Sequence, residues 1–407
     1  MINTYIRDIS EALVQGHAAL MVGAGFSKNA KKITATNKRF LDWKELSDLF
    51  YSSLYGEDGG PGKEYCSSLR LAQEVETISG RPRLDSILKE AAPDLEYAPT
   101  ELYTNLMDLP WTDVFTTNYD TLLERAADTV TSRRYHVVAS QEDLVNSNDV
   151  PRIIKLHGSF PSHRPFIITE EDYRTYPVRF APLVNTVQQS LLENVFCMVG
   201  FSCEDPNFLK WIGWIHDNLG KSSSQKIYMI SVTPILEAKA KLLFEQNIVV
   251  VDLTTIWGDK DVAGRIAAFV EALHTKVANK EAEDIWFSVN KLPQKWQETI
   301  AGRISLLQTL NGTYPGWIVL PWKMKNRVSY VLYELDGMDV LEKASWQEKV
   351  AYMYEYTKFL DIADRPILPQ IAEEFWKILS EMDQYSDKDN EKIQSILLQL
   401  LRAFREQ

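Results

Sequence analysis

Leu20-Met21-Val22-Gly23-Ala24-Gly25-Phe26-Ser27 is the stretch that decides the fold. Three apolar residues run into a glycine pair and then a hydroxyl, the pattern of a buried strand ending in a tight turn. Without a Cβ at Gly23 and Gly25, the backbone can approach a ligand closely and reach positive φ. A strand, a glycine turn and a helix start aim free N–H groups at an anion, which makes a phosphate cradle in an α/β fold. Lys28 stands where the third glycine of the dinucleotide fingerprint would be. Taken alone, the stretch therefore fits a plain strand-to-helix turn as well as a nucleotide site, and residues further along the chain decide between them.

Upstream, Ile6, Ile9, Leu13 and Val14 share one face at helical spacing, so a helix over about residues 4–16 feeds the strand. Downstream, a polar run through Lys28, Asn29, Lys31 and Lys32 forms a loop over the glycine turn. Leu46, Leu49, Phe50 and Leu54 predict a helix over 43–55, Gly59-Gly60-Pro61-Gly62 a break, and two further helices follow near 64–79 and 82–91. Residues from about 30 to 108 thus read as a helical insertion. Asp113-Val114-Phe115-Thr116-Thr117-Asn118-Tyr119-Asp120 begins as a strand and ends in polar residues. After a polar loop, Arg152-Ile153-Ile154-Lys155-Leu156-His157-Gly158-Ser159 repeats that design, and Phe166-Ile167-Ile168 reads as another short strand. A helix is expected near 180–193. Val195-Phe196-Cys197-Met198-Val199-Gly200-Phe201-Ser202 is a further strand, followed by a helix over 208–219, strands at 226–232 and 248–253, and a helix over 261–278. Strands alternating with helices predict a doubly wound, Rossmann-like parallel sheet, whose ligand lies outside the carboxyl ends of the strands. Gly25 and Ser27, Asn118 and Asp120, His157, and Gly200 and Ser202 all fall at those ends.

The chain has 407 residues, room for two or three domains. A net charge of −12 argues against broad nucleic-acid binding. Cys66, Cys197 and Cys203 form no Cys-x-x-Cys pair, which suggests a reducing compartment and no structural zinc. With no apolar run of membrane-spanning length and no signal-peptide pattern, the expectation is a cytoplasmic protein without membrane attachment. Beyond residue 280 the composition changes: Trp286, Trp296, Trp317, Trp322, Trp346 and Trp376 lie here. Helical spacing is clear at Ile371, Phe375, Ile378 and Met382, and a strand signal appears only at 317–320. The expected division is a catalytic domain over 1–278 and a mainly helical assembly or regulatory domain over 280–407. Ile393, Leu397, Leu400 and Phe404 form an apolar stripe on the last helix, to be buried either on its own domain or on another chain.

The ordered set Gly23-Ala24-Gly25-Phe26-Ser27, Thr116-Thr117-Asn118-Tyr119-Asp120, Lys155-Leu156-His157-Gly158 and Gly200-Phe201-Ser202 resembles the sirtuin superfamily. Sirtuins carry Gly-Ala-Gly-x-Ser, Thr-Gln-Asn-x-Asp, a His-Gly turn and a Gly-Thr-Ser turn in the same order. The fuller run through Glu204-Asp205-Pro206-Asn207-Phe208 is similar to the sirtuin-like NAD hydrolases of bacterial antiphage defence. Two departures matter. The zinc module of deacylating sirtuins needs four ligands at short spacing, which this chain lacks. The Ile-Pro-x-Phe-Arg segment of deacylases is replaced by residues 28–36. Both changes count against acyl-lysine peptide binding and leave the NAD site intact.

The residue types fit that chemistry independently. The bond from ribose to a cationic nicotinamide breaks through an oxocarbenium-like state. A histidine such as His157 can take a proton near neutral pH, and an amide such as Asn118 can orient water and ribose hydroxyls. The resemblance implies that Asp120 accepts from the nicotinamide carboxamide. It places Gly23, Ala24, Gly25, Phe26, Ser27 and Thr117 around the cofactor's ribose and pyrophosphate, and Gly200, Phe201, Ser202 and Ser231 on the adenosine side. Asn118 with Asp120 could alternatively cap the helix beginning at Thr121, and Asp205 reads as the cap of the helix after Pro206. The resulting expectation is an NAD glycohydrolase with NAD as substrate and no zinc, gated by homo-oligomerisation or by a partner such as a HerA/FtsK-type ATPase. The rivals are a protein deacylase or ADP-ribosyltransferase, and a non-catalytic module that binds NAD or ADP-ribose. A nuclease ranks below these, because no carboxylates cluster at metal-binding spacing.

Overall fold

The computed structural model describes residues 2–56, 60, 62–63, 66–147, 151–220, 225–283, 292, 295–314, 322–335, 339–363, 365–381 and 389–405. They fall into two compact units, residues 1–277 and 278–407. The first unit opens with α1 (Ile2–Gln15), β1 (Ala18–Val22), α2 (Ala24–Ser27), β2 (Lys31–Lys32), α3 (Trp43–Tyr55), α4 (Ser68–Ser79) and α5 (Arg81–Ala91). It continues through β3 (Tyr97–Ala98), α6 (Glu101–Asp108), β4 (Asp113–Thr116), α7 (Leu122–Ala127), β5 (His136–Val138), β6 (Arg152–Lys155), α8 (Glu170–Arg179) and α9 (Ala181–Glu193). Then come β7 (Val195–Val199), α10 (Pro206–Leu219), β8 (Ile227–Ser231), α11 (Glu237–Glu245), β9 (Ile248–Asp252), α12 (Thr254–Trp257) and α13 (Val262–Glu283).

Seven of the strands form one parallel sheet in the order β5-β6-β4-β1-β7-β8-β9. The alternation of β1 explains why it is apolar throughout. Ala18, Leu20 and Val22 face a core with Ile9 and Leu13 of α1 and Phe269 and Leu273 of α13. Ala19 and Met21 face the opposite core, with Tyr176 of α8, Val187 of α9 and Trp211 of α10. A parallel strand covered on both faces has no polar side to offer, so it reads as a continuous apolar run. The chain leaves β1 for β4 and β6 on one side and returns to β7, β8 and β9 on the other. The reversal puts a crevice between the carboxyl ends of β1 and β7, where a doubly wound sheet binds its ligand.

The insertion between β1 and β4 is built mostly of helices, as its periodicity predicts. Its core joins Phe50 of α3, Leu71 and Val75 of α4 and Leu84 and Leu88 of α5 to Phe160, Phe166 and Ile168. The insertion is therefore packed against the segment that follows β6. α3 begins with a reciprocal cap: Glu45 N–H donates to Asp42 Oδ1 (3.0 Å) and Asp42 N–H donates to Glu45 Oε2 (2.8 Å), a feature worth about 1 kcal/mol.

Four local expectations are revised. The polar run after Ser27 includes β2, which pairs antiparallel with β3. Phe166-Ile167-Ile168 is buried but is not a strand: Arg81 donates to the Phe166 carbonyl, Tyr119 Oη to the Ile167 carbonyl (2.8 Å), and Ile168 N–H to Asp172 Oδ2 (3.1 Å). Side chains there do the work of a strand ladder, so an apolar run alone misleads. β5 lies where the sequence reads as loop, an edge strand of three residues beside Arg133 and Arg134. α8 and α11 were not expected. Among the residues of α8 only Asp172, Tyr173 and Tyr176 are buried, too few to give a helical apolar pattern.

The second unit packs α14 (Ile300–Thr313), α15 (Trp322–Leu335), α16 (Asp339–Glu342), α17 (Trp346–Ile362), α18 (Pro369–Ser380) and α19 (Asn390–Arg405). Its core includes Leu306, Leu310, Met353, Phe359 and Phe375. Ile393, Ile396 and Leu400 of α19 are buried in that core, with Leu397 partly so. The α19 stripe is thus spent on its own unit, and the alternative of a free face for another chain is withdrawn for these residues. Leu398 and Leu401, on the other side of α19, are 62% and 56% exposed. Trp286, the strand expected at 317–320, Met382, and Gly59 and Pro61 of the expected break lie outside the described residues. So do the side chains of Trp322 and Phe404.

Candidate active site

The crevice between β1 and β7 is closed by backbone. Gly23 N–H donates to the Val199 carbonyl and Gly25 N–H to the Gly200 carbonyl, both at 3.0 Å. A Cβ on Gly23 would lie 2.5 Å from the Gly200 carbonyl oxygen. Gly200 itself has φ +64°, and a Cβ there would lie 2.3 Å from Phe26 N. These glycines are required because two strand ends meet without room for side chains. The Gly25 amide is consequently committed to Gly200, which corrects the expectation that the turn holds its N–H groups free for an anion.

At the end of β4, Thr116 Oγ1 donates to the Val22 carbonyl (2.8 Å) and accepts from Asn118 N–H (3.0 Å). One hydroxyl thus ties β4 to β1 and sets the turn that carries Asn118. From there a hydrogen-bonded chain runs across the site. Asn118 Nδ2 donates to Ser27 Oγ (3.1 Å), Ser27 Oγ donates to Asp120 Oδ2 (2.7 Å), and Asp120 Oδ1 accepts from Leu122 N–H (3.2 Å). Asp120 therefore accepts the first amide of α7 and anchors Ser27. Burial pushes its carboxyl above the usual range, opposed by the Lys155 charge and the Ser27 hydroxyl. Lys155, buried in β6, donates to the Asp120 carbonyl and sits 3.0 Å from Glu124 Oε1. A buried ammonium is tolerated because it is paired in this way.

At the end of β6, His157 is 1% exposed, with Tyr173 and Tyr176 of α8 set edge-on to its ring. Tyr176 Oη donates to the Leu156 carbonyl (2.7 Å), and Ile167 N–H donates to the His157 carbonyl (3.0 Å), so the turn is fixed on both sides. Burial pushes the imidazole below its ordinary 6.5, with Asp205 and Asp172 opposing. At pH 7 it is neutral, the form that can accept a proton. His157 Nε2 and Asn118 Oδ1 are both buried without a hydrogen-bond partner. Unpaired buried polar atoms are costly in a core and are expected where a ligand or water completes them.

Ala24, Ser27, Thr117, Asn118, Asp120 and His157 line one cleft, faced from the insertion by Phe40, Leu41, Trp43, Leu46 and Leu88. The remaining predicted residues surround it differently. Phe26 is in the core, its ring 4.5 Å from that of Tyr103. Phe201 packs on Phe208 at 5.2 Å, and Ser202 Oγ accepts from Glu204 N–H (3.4 Å). Ser231 lies at the end of β8 and donates to the Thr233 carbonyl (2.6 Å). Two residues near the site have more to do than the sequence indicated. Asp205 caps α10 through Oδ1, accepting from Asn207 and Phe208 N–H (2.9 and 3.0 Å), while Oδ2 accepts from Tyr173 Oη (2.8 Å). Asn207, 1% exposed, has neither side-chain oxygen nor nitrogen partnered. The available signal was the run Asp205-Pro206-Asn207, which helix-capping rules explain only in part. Among the described residues, no group of three or more His, Cys, Asp and Glu could hold a metal ion, and no helix is long and apolar enough to cross a membrane.

A doubly wound parallel sheet with a glycine-closed switch point, an Asn-x-Asp turn and a His-Gly turn makes up the α/β unit. Residues 112–251 match the family model described as a SIR2-like domain, which takes in Asn118, Asp120, His157, Gly200 and Ser231. Defense-associated sirtuin 2 of Bacillus subtilis is 25% identical over 248 residues, covering 60% of this chain and 23% of that protein. NAD(+) hydrolase ThsA of Enterococcus faecium is 29% identical over 217 residues, covering 52% of this chain and 43% of that protein. NAD(+) hydrolase ThsA of Acinetobacter baumannii (strain 532279) is 27% identical over 221 residues, with 51% and 40% covered. The crystal structure of a Sir2 homolog–NAD complex aligns with a TM-score of 0.35 at 13% identity, covering 66% of this chain and 94% of that one. The resemblance to sirtuin-like proteins of antiphage defence is thus borne out. The chain spans less than half the length of these curated relatives.

Proposed function

We propose that the chain is an NAD hydrolase that cleaves the nicotinamide–ribose bond to give nicotinamide and ADP-ribose. The observation that carries this reading is the pair of unpartnered buried atoms, Asn118 Oδ1 and His157 Nε2, on residues that line one cleft at the carboxyl ends of adjacent strands. The names of the relatives support it. In the reaction, the C–N bond breaks and its electron pair leaves with nicotinamide, now neutral. A water oxygen bonds to the ribose carbon, and the proton it sheds passes to His157 and then to solvent. Asn118 orients the water and the ribose hydroxyls. The Ser27–Asp120 chain holds Asn118 in place, and the insertion's apolar wall limits bulk water.

The reading extends to an NAD-depleting role in antiphage defence, in the cytoplasm, gated by assembly or by a partner such as a HerA/FtsK-type ATPase. The exposed Leu398 and Leu401 support a contact for assembly. The test is incubation of the purified protein with NAD, with and without its genomic neighbour, quantifying nicotinamide and ADP-ribose. His157→Ala is expected to lose about 10²–10⁴-fold in turnover. A folded variant that keeps wild-type turnover overturns the assignment of the base.

A further inference from the structure

We propose that Asp205, held by Tyr173, is the counter-ion of His157 and a positioning residue for the proton transfer. The inference deepens the proposed reaction and rests on it. Three elements converge. His157 ends β6, Tyr173 lies on α8, and Asp205 precedes α10. The two carboxylate oxygens have separate tasks. Oδ1 accepts the first two free amides of α10, which fixes the carboxylate. Oδ2 accepts from Tyr173 Oη at 2.8 Å and lies 4.0 Å from His157 Nε2. A helix cap alone needs only the first oxygen. The second is turned inward, in a site where the imidazole and the carboxylate are both nearly solvent-free.

The electrostatics give the arrangement its use. In the resting state burial keeps the imidazole neutral. When water sheds its proton, an imidazolium forms in a place that disfavours charge. An anion 4.0 Å away favours the charged form of a group by about 1–3 pH units. Asp205 therefore acts on the protonated state and leaves the neutral one nearly untouched, which is where a contribution to rate must lie. The groups that face the ring are few: Asp205 from the α10 side, and Asp172, Tyr173 and Tyr176 from α8. Asp172 is committed elsewhere, to Arg81 and to the amides of Ile168 and Thr169. Asp205 is the anion within reach of Nε2.

The test uses Asp205→Asn, which retains a capping oxygen for α10 and removes the charge. The titration of His157 is followed by NMR on imidazole-labelled full-length protein without NAD, the resonance being assigned with His157→Gln. In parallel, kcat/KM for NAD is measured across pH. Relative to wild type, Asp205→Asn is expected to move the His157 midpoint and the acid limb down by about one unit or more, with turnover at neutral pH down about tenfold. Tyr173→Phe keeps the carboxylate but frees Oδ2, and is expected to move both upward. A His157 midpoint unchanged in folded Asp205→Asn overturns the inference. Should Asp205→Asn not fold, Tyr173→Phe decides: an unchanged midpoint in that variant overturns it equally. A wild-type protein that releases no nicotinamide overturns the proposed reaction instead, and the NMR titration still reads the pairing.

Discussion

At the residue scale, the site depends on a few polar atoms held without partners. Asn118 is 7% exposed, and its backbone amide and side-chain amide are both anchored, while Oδ1 is not. An oxygen kept free at that cost acts on whatever enters the cleft. Asn118→Ala is expected to lower kcat by about 10²-fold, with a much smaller change in KM, since an orienting group acts mainly in the transition state. A rise in KM at constant kcat would show that Asn118 serves binding alone. The sequence made Asn118, His157 and Ser27 legible because each stands at the end of an apolar run. It made Asp120 legible as a polar residue and as a candidate cap of the next helix, but not as the anchor of Ser27. It did not make Tyr173 legible, because a tyrosine on a short, polar helix signals nothing until the fold sets it against Asp205.

At the element scale, the junction of β1 and β7 is the tightest constraint in the first unit. Gly200 occupies left-handed backbone with Phe26 directly above it. Gly200→Ala is expected to cost about 1–3 kcal/mol from backbone strain, with more from the clash, and to lower the melting temperature measurably. A melting curve superimposable on wild type would show that the junction can relax. The sheet strands were readable from apolar runs, because strands buried on both faces leave no ambiguity of period. β5, α8 and α11 were not readable. Each makes its main contacts through a few residues, and Leu242 and Phe244 of α11 are exposed where a helical pattern would bury them.

On the scale of the whole molecule, the chain combines one unit that holds the candidate site with one in which the sequence offers no chemical motif. The α19 stripe belongs to the second unit's own core, so Leu397→Glu with Leu400→Glu is expected to destabilise that unit by about 3 kcal/mol or more. Leu398→Glu with Leu401→Glu, on the exposed side, should leave its melting unchanged. Light scattering on this second pair tests assembly: a smaller folded species locates a contact at α19, and an unchanged mass removes these residues from any interface. The stripe was legible as apolar and helical. Its partner was not, because periodicity gives a face and never says what covers it.

The pairing of β1 has one more consequence, for the order in which the protein is made. β1 sits in the middle of the sheet, yet Leu20 has Val114 as its neighbour on one side and Cys197 on the other. During synthesis this apolar strand emerges before either partner and waits for both, and such distant pairings are slow to close and exposed to misassembly. The ribosome must deliver β7 before Gly23, Gly25 and Gly200 can meet. A nascent or truncated chain that stops before Val199 has the Asn118 and His157 motifs in its sequence but no closed crevice beneath them. Completion of the cleft is thereby tied to translation through Gly200.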